Sequence, residues 1–223
     1  MDEVEDLSPV AQDYLKVIWS AVEWGEPPIT TKGLAARFAT TQANVSDTMR
    51  RLQTRGLVDY QPYRPVTLTA TGERLAVQMV RRHRLIETFL TEVVGYAWDE
   101  VHDEAERLEH AVSETLLQRI DTLLGRPRLD PHGDPIPGPG GEWLPRVDAP
   151  KLSEAPPGRY RVVRVSDTDP DRLVRLRQAG VVPGAVLLLD AGARPAVRVE
   201  PGPPGKQPAL DRGDLEAVRA RPL

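Results

Sequence analysis

The 223-residue sequence contains no cysteine. This excludes a disulfide scaffold, a thiolate-ligated zinc site, an iron–sulfur cluster and a thiol nucleophile, and it suits a reducing compartment. Long apolar runs are lacking too. Val186-Leu187-Leu188-Leu189 is typical of what is present, far short of the roughly 20 residues that span a bilayer. The N-terminal stretch Met1-Asp2-Glu3-Val4-Glu5-Asp6 is acidic and has neither the positive n-region nor the apolar h-region of a targeting signal. There is no internal repeat. The expectation is a soluble, cytoplasmic protein, long enough for two or three small domains with a real core.

The formal net charge is only −4, but it is unevenly spread. Residues 30–84 carry ten Lys/Arg against three acids, a local charge of +7. Residues 85–125 carry ten acids against two arginines, a local charge of −8. Three of the four histidines, His83, His102 and His110, lie at or inside the acidic block. A basic block beside an acidic, histidine-bearing block suggests two different partners.

Fifteen of the 34 residues from 125 to 158 are Pro or Gly, a density that no helix or central strand survives. This segment reads as a linker between a mostly helical part and a small, mostly β part. In the first part, Ser8-Pro9 opens a helix to about Val22, and shorter helices follow over 31–39 and 41–55. Leu57–Tyr60 and Val66–Thr69 read as strands, then a long helix runs over 71–94 and another over 99–124. In the second part, 160–165, 185–190, 196–200 and 215–218 read as strands and 171–179 as a helix, with a Pro/Gly turn at 201–205. The fold class is mainly α with a small β module. The predicted domains are a winged helix-turn-helix over 1–73, a helical domain over 74–141, the linker proper over 142–157 and a β module over 158–223.

Two short helices followed by a two-stranded ribbon are the pattern of a winged helix-turn-helix, whose second helix enters the DNA major groove. Small polar residues crowd the start of that helix, where backbone N–H groups and hydroxyls meet phosphates or base edges. The DNA-facing set is Lys32, Thr41, Gln42, Asn44, Ser46, Asp47, Arg51 and, on the wing, Arg64, with the arginines supplying a salt-dependent phosphate contribution.

On the helix from Asp99, with His102 at 0°, Glu106 falls at about 40°, Glu109 at about −20° and His110 at about 80°. The four line one edge of the apolar stripe formed by Val101, Ala105, Leu108 and Val112. Carboxylates placed there need a positive partner, and a divalent cation would provide it. On the preceding helix, His83 and Glu87 are spaced i, i+4 and share a face. A donor set of oxygen and imidazole suits Mn(II) or Fe(II) rather than structural zinc.

Several stretches resemble the diphtheria-toxin-repressor and iron-dependent-repressor family, and within it the manganese transport regulators. They are Ala11-Gln12-Asp13-Tyr14-Leu15-Lys16-Val17-Ile18-Trp19, Val66-Thr67-Leu68-Thr69, Arg82-His83-Arg84-Leu85-Ile86-Glu87, residues 101–111 and the turn Asp130-Pro131-His132-Gly133-Asp134-Pro135-Ile136-Pro137-Gly138. The resemblance covers residues 7–141 well. It extends on weaker motifs to the β module, which would then be an SH3-like (FeoA-like) β-barrel. It implies a homodimer that binds a palindromic operator in double-stranded DNA when loaded with metal.

The resemblance also implies two metal sites. One would use Asp13, Glu106, Glu109 and His110. The other would use His83, Glu87, His102 and an acid of the C-terminal module. Asp169 fits that position best, with Asp167 and Asp171 as alternatives. Iron-type members place sulfur ligands where this chain has Asp13 and Glu106, and exchanging soft sulfur for hard oxygen favours Mn(II). The small manganese regulators have a glutamate where this chain has Lys16, and the iron-type module has a glutamine ligand where this chain has Arg172.

The reading that results is a manganese-dependent repressor of metal-uptake genes, with Fe(II) or another divalent transition metal as the alternative effector. A carboxylate di-metal oxidase would need two Glu-x-x-His motifs, which are absent, so no enzymatic activity is expected. A helix-turn-helix regulator sensing an organic ligand is the remaining alternative.

Overall fold

The computed structural model describes residues 4–142, 149–190, 197–200 and 210–223. It contains eight α-helices and six strands among those residues, in two compact units. One unit runs to His83 and takes in the segment from Pro137. The other comprises Arg84–Ile136 and the C-terminal module. One boundary falls inside a helix, between His83 and Arg84, and another falls between Ile136 and Pro137 within the Pro/Gly-rich segment.

The first unit is built on local capping signals. Helix α1 (Pro9–Glu23) starts where the Ser8 hydroxyl accepts from the Ala11 N–H, with Pro9 at the first helical position. Thr30 caps α2 (Thr31–Arg37) and Thr41 caps α3 (Gln42–Thr54) in the same way. Strands β1 (Val58–Asp59) and β2 (Thr67–Leu68) pair antiparallel, with Val58 opposite Leu68. They are shorter than predicted because Gln61–Pro65 forms a turn at their ends. Helix α4 (Ala70–Phe89) follows. Leu15, Ile18, Leu34, Val45, Met49, Leu57, Leu75 and Met79 make the core of this unit. Val4 and Leu7 join it, and the Gln12 side-chain amide donates to both of their carbonyls.

In the second unit, α4 continues from Arg84 and passes into a π-helical turn (Leu90–Val94) closed by Gly95 at φ +90°. The long helix expected to Leu124 is two helices, α5 (Val101–Leu108) and α6 (Glu114–Leu123). The break has a side-chain cause: Ser113 is extended and its hydroxyl accepts from the Leu116 N–H, which starts a new helix. Leu85, Ile86, Val101, Ala105, Leu117 and Ile136 pack together behind them.

The C-terminal module is a four-stranded antiparallel sheet in the order β5-β4-β3-β6, with β3 Gly158–Val165, β4 Val186–Leu189, β5 Val197–Glu200 and β6 Val218–Pro222. Helix α7 (Pro170–Gln178) packs Leu173 and Leu176 into its core. Of residues 215–218, expected as a strand, Leu215 and Glu216 end a short helix, α8 (Arg212–Glu216), and Val218 begins β6. Asp211 and Asp214 form a reciprocal capping box that nucleates it. The expected turn at 201–205 lies outside the described residues.

The first part of the Pro/Gly-rich segment is not a linker. Asp130, His132, Asp134 and Ile136 are buried. The Asp130 carboxylate accepts from the backbone N–H groups of His132 and Asp134, closing a tight turn. Arg84 pairs with Asp130 and Asp134, and Arg164 of β3 also binds Asp134. The His132 carbonyl accepts from the Val165 N–H, so the turn is stitched to β3. Gly133 fits here for two reasons. Its φ is +86°, and a Cβ would lie 2.0 Å from the Val163 carbonyl oxygen. Gly133→Ala is therefore expected to cost more than about 2 kcal/mol. Thermal unfolding followed by circular dichroism should show a midpoint several degrees lower.

Candidate metal centre and nucleic-acid interface

The metal-ligating groups of the second unit gather around Glu87 of α4, whose side chain is wholly buried. On one side His102 of α5 brings Nδ1 to 3.2 Å from Glu87 Oε1 and to 3.2 Å from Asp167 Oδ2, which follows β3. His102 Nε2 lies 3.6 Å from Glu106 Oε1. On the other side Glu87 Oε2 is 3.6 Å from Nδ1 of His132, which is also wholly buried. The other ring nitrogen of His132, Nε2, is 2.7 Å from the Trp98 carbonyl, and the two rings pack 5.5 Å apart. Donor atoms of Glu87, His102 and Asp167 lie within 4.8 Å of one another, as do those of Glu87, Asp130 and His132. Both groups are made of oxygen and imidazole nitrogen, which fits a hard or borderline divalent cation.

The electrostatics follow from burial and proximity. Burial disfavours the charged form of His102, but the Asp167 and Glu87 carboxylates outweigh it and raise its pKa to about 11. Burial opposes charge on His132 as well, and Glu87 and Asp130 raise it to about 10. Burial would raise Asp167, yet His102 beside it holds that carboxyl well below the usual range. Burial, then the neighbouring Asp134, push Asp130 up to about 8 against the pull of Arg84.

The remaining expected metal ligands are distributed as follows. His83 is buried on α4 one turn before Glu87, and within the first unit its Nδ1 is 3.5 Å from the buried Lys16 ammonium. The Lys16 side chain is the donor in this contact and His83 Nδ1 the acceptor. Asp13 lies on α1, half-buried. Glu109 is wholly buried just beyond the end of α5, and His110 Nε2 is 3.8 Å from Glu109 Oε1.

Asp169 differs from the expectation. It caps α7, accepting from the Arg172 N–H, and its other oxygen is 3.4 Å from the Arg172 guanidinium. The module acid beside His102 is Asp167. Sequence reasoning also passed over His132 and Asp130 as donors, because they sit in a Pro/Gly-rich stretch read as linker. The Asp130-Pro131-His132 spacing was the available signal.

In the first unit, Lys32, Thr41, Gln42, Asn44, Asp47, Arg51 and Arg64 are exposed and Ser46 is half-buried. Several of these groups brace the helix. Thr41 is the cap of α3, the Asn44 amide donates to the Thr40 hydroxyl, and Asp47 pairs with Arg50 at 2.6 Å. Ser46 accepts from the Tyr60 hydroxyl of the wing at 3.0 Å, fixing the ribbon to α3.

Comparison with known proteins agrees with this layout. Residues 6–66 match the iron dependent repressor N-terminal DNA binding domain. Residues 69–138 match the iron dependent repressor metal binding and dimerisation domain, and residues 151–222 match the FeoA domain. The chain is 34% identical over 197 residues to the iron-dependent repressor IdeR of Mycobacterium tuberculosis, covering 82% of this chain and 84% of that protein. It is 33% identical over 192 residues to the diphtheria toxin repressor of Corynebacterium diphtheriae, with the same coverage. Among solved structures, a manganese-dependent transcriptional repressor in complex with manganese superposes with a TM-score of 0.88 at 44% identity, covering 96% of this chain and all of that one. The manganese regulator SloR superposes at 0.81 with 29% identity, covering 97% and 100%.

A winged-helix DNA-binding domain, a metal-binding and dimerisation domain and a FeoA domain in succession define a metal-dependent transcriptional repressor, a DNA-binding regulator and not an enzyme. The chain belongs to the iron-dependent repressor family, which includes the diphtheria toxin repressors.

Two outcomes are expected at the metal centre. Asp167→Ala, which removes a carboxylate from the group around Glu87, should weaken divalent-cation binding by at least about tenfold. Asp169→Ala should leave it intact and cost about 1 kcal/mol of stability through the lost cap. Competition titrations and thermal melts of the two variants check this. Protons on His102 and His132 compete with a cation at neutral pH, because both pKa values lie above it. Raising the pH from 6 to 8 should therefore tighten divalent-cation binding, with proton release visible by calorimetry in buffers of different ionisation enthalpy.

Proposed function

We propose that the chain is a manganese-responsive repressor. In this reading Mn(II) orders a homodimer to bind a palindromic operator and to shut off metal-uptake genes in the cytoplasm. The observation that carries the choice of metal is the donor set. Asp13 and Glu106 are oxygen ligands at positions where iron-type relatives place sulfur, and the sequence has no cysteine. Hard oxygen donors suit Mn(II) better than softer or later metals. The manganese-bound solved structure at 44% identity supports the same choice.

Two ion sites are proposed. Asp13, Glu106, Glu109 and His110 form one. His83, Glu87, His102 and Asp167 form the other, with Asp130 and His132 as further donors to Glu87's side of the group. An ion held by Asp13 and by the Glu106–His110 segment would join α1 of the DNA-binding unit to the helical unit. Binding would then favour whichever arrangement of the recognition helices fits the operator. The coupling is reciprocal, so operator DNA should tighten metal binding.

A second reading, Fe(II) as the effector, is favoured by the name of the IdeR relatives at 34% identity. Anaerobic titration of DNA binding with Mn(II), Fe(II), Co(II) and Zn(II) on one preparation separates the two. The expected result is activation by Mn(II) at concentrations below those needed for Fe(II). The reverse order would replace manganese by iron. Glu106→Ala combined with His110→Ala should abolish the metal response, and a metal-independent response that survives it would point to an organic effector.

A further inference from the structure

The wing carries a residue that the DNA-facing set does not include. Tyr63 stands at the tip of the turn between β1 and β2, where the Arg64 N–H donates to the Gln61 carbonyl at 3.2 Å. Its side chain is wholly exposed, more so than any other large hydrophobic residue described. Tyr60, three residues earlier, is buried with its hydroxyl on Ser46, so tyrosine in this ribbon is not exposed for want of a place to pack.

The backbone at Tyr63 is in the left-handed region, with φ +64°. Glycine, asparagine or aspartate adopts that conformation more readily than an aromatic residue. Pro62 and Pro65 flank the Tyr63-Arg64 pair, fixing their own φ angles and restricting the residues before them. The ring is thus held away from the protein on a restrained tip, in a conformation that disfavours it, and it contributes nothing to the core. Strained positions of this kind cluster at binding sites.

We propose that Tyr63 is a DNA contact of the wing, its ring packing on a deoxyribose while Arg64 takes an adjacent phosphate. An apolar ring and a guanidinium on successive exposed residues match the alternation of sugar and phosphate along one strand. No acid occurs from Tyr60 to Thr69 to oppose the phosphates. Because the tip is already ordered, little conformational freedom is lost on contact. A sugar contact is indifferent to base sequence and adds affinity to specific and non-specific sites alike.

The inference rests on the DNA-binding reading of the winged helix. The probes are a duplex enriched from a random-sequence pool by the Mn(II)-loaded wild-type chain, and an unrelated duplex of equal length. Tyr63→Ala and Tyr63→Gly should each weaken binding to both on the order of tenfold. Tyr63→Phe should stay within about twofold of wild type. The slope of log affinity against log salt should be unchanged in Tyr63→Ala and should drop by about one in Arg64→Ala.

Full affinity in Tyr63→Gly would overturn the proposal, since glycine keeps the turn and removes the ring. So would unchanged binding by Tyr63→Ala, or a loss confined to the enriched duplex, which would indicate base contact instead. If the metal-loaded wild type enriches no duplex, the underlying DNA reading fails as well. Unfolding midpoints of all variants, expected to be no lower than wild type and raised if anything in Tyr63→Gly, separate loss of contact from loss of fold.

Discussion

Glu87 is a carboxylate with none of its side chain exposed, set between two imidazoles. A buried charge of this kind is costly unless it is paired. Around it His102 from α5 and His132 from the Pro/Gly-rich turn supply the positive partners, and Asp167 beyond β3 shares His102; the three come from segments far apart in sequence. Each is there because a different piece of local structure delivers it. The α5 helix aims His102. The Asp130 carboxylate folds the turn that buries His132, and the Trp98 carbonyl holds the far side of that ring.

The same turn is held by a second set of charges. Arg84, one residue beyond the division between the units, pairs with Asp130 and Asp134, and Arg164 of β3 shares Asp134. Arg84 and Arg164 both pair with Asp134 and offset the burial of its charge, as an interior requires. They also make the SH3-like module part of the same unit as the helical segment. Contact between module and metal donors is direct, since Asp167 and His132 both sit against β3 or its end.

Much of this was legible in the sequence. Capping residues and apolar spacing located α1 to α4, and the charge blocks separated the DNA-facing segment from the acidic, histidine-bearing one. The i, i+4 pair His83 and Glu87 and the apolar stripe of α5 pointed to the helices that carry the donors. What was missed depended on side chains overriding the wider pattern. Ser113 splits one helical stripe into two helices, and the Asp211–Asp214 box draws Leu215 and Glu216 into a helix, so that the last strand starts only at Val218. Pro and Gly density suggested a linker at 130–136, where a buried aspartate and two arginines impose a compact turn. Asp169 and Asp167 are two residues apart, and only the cap geometry of α7 distinguishes the structural acid from the one beside His102.

Lys16 carries a consequence for how such a switch is set. Its amino nitrogen lies 3.5 Å from His83 Nδ1, in a buried setting where Coulomb interactions are weakly screened. Under the proposed metal reading, a cation bound at His83 would meet repulsion from a protonated Lys16. A regulator gains nothing from saturating at trace metal. It has to fill and empty across the concentration range it reports. Under that reading, a lysine beside the histidine would move the threshold upward without removing a donor.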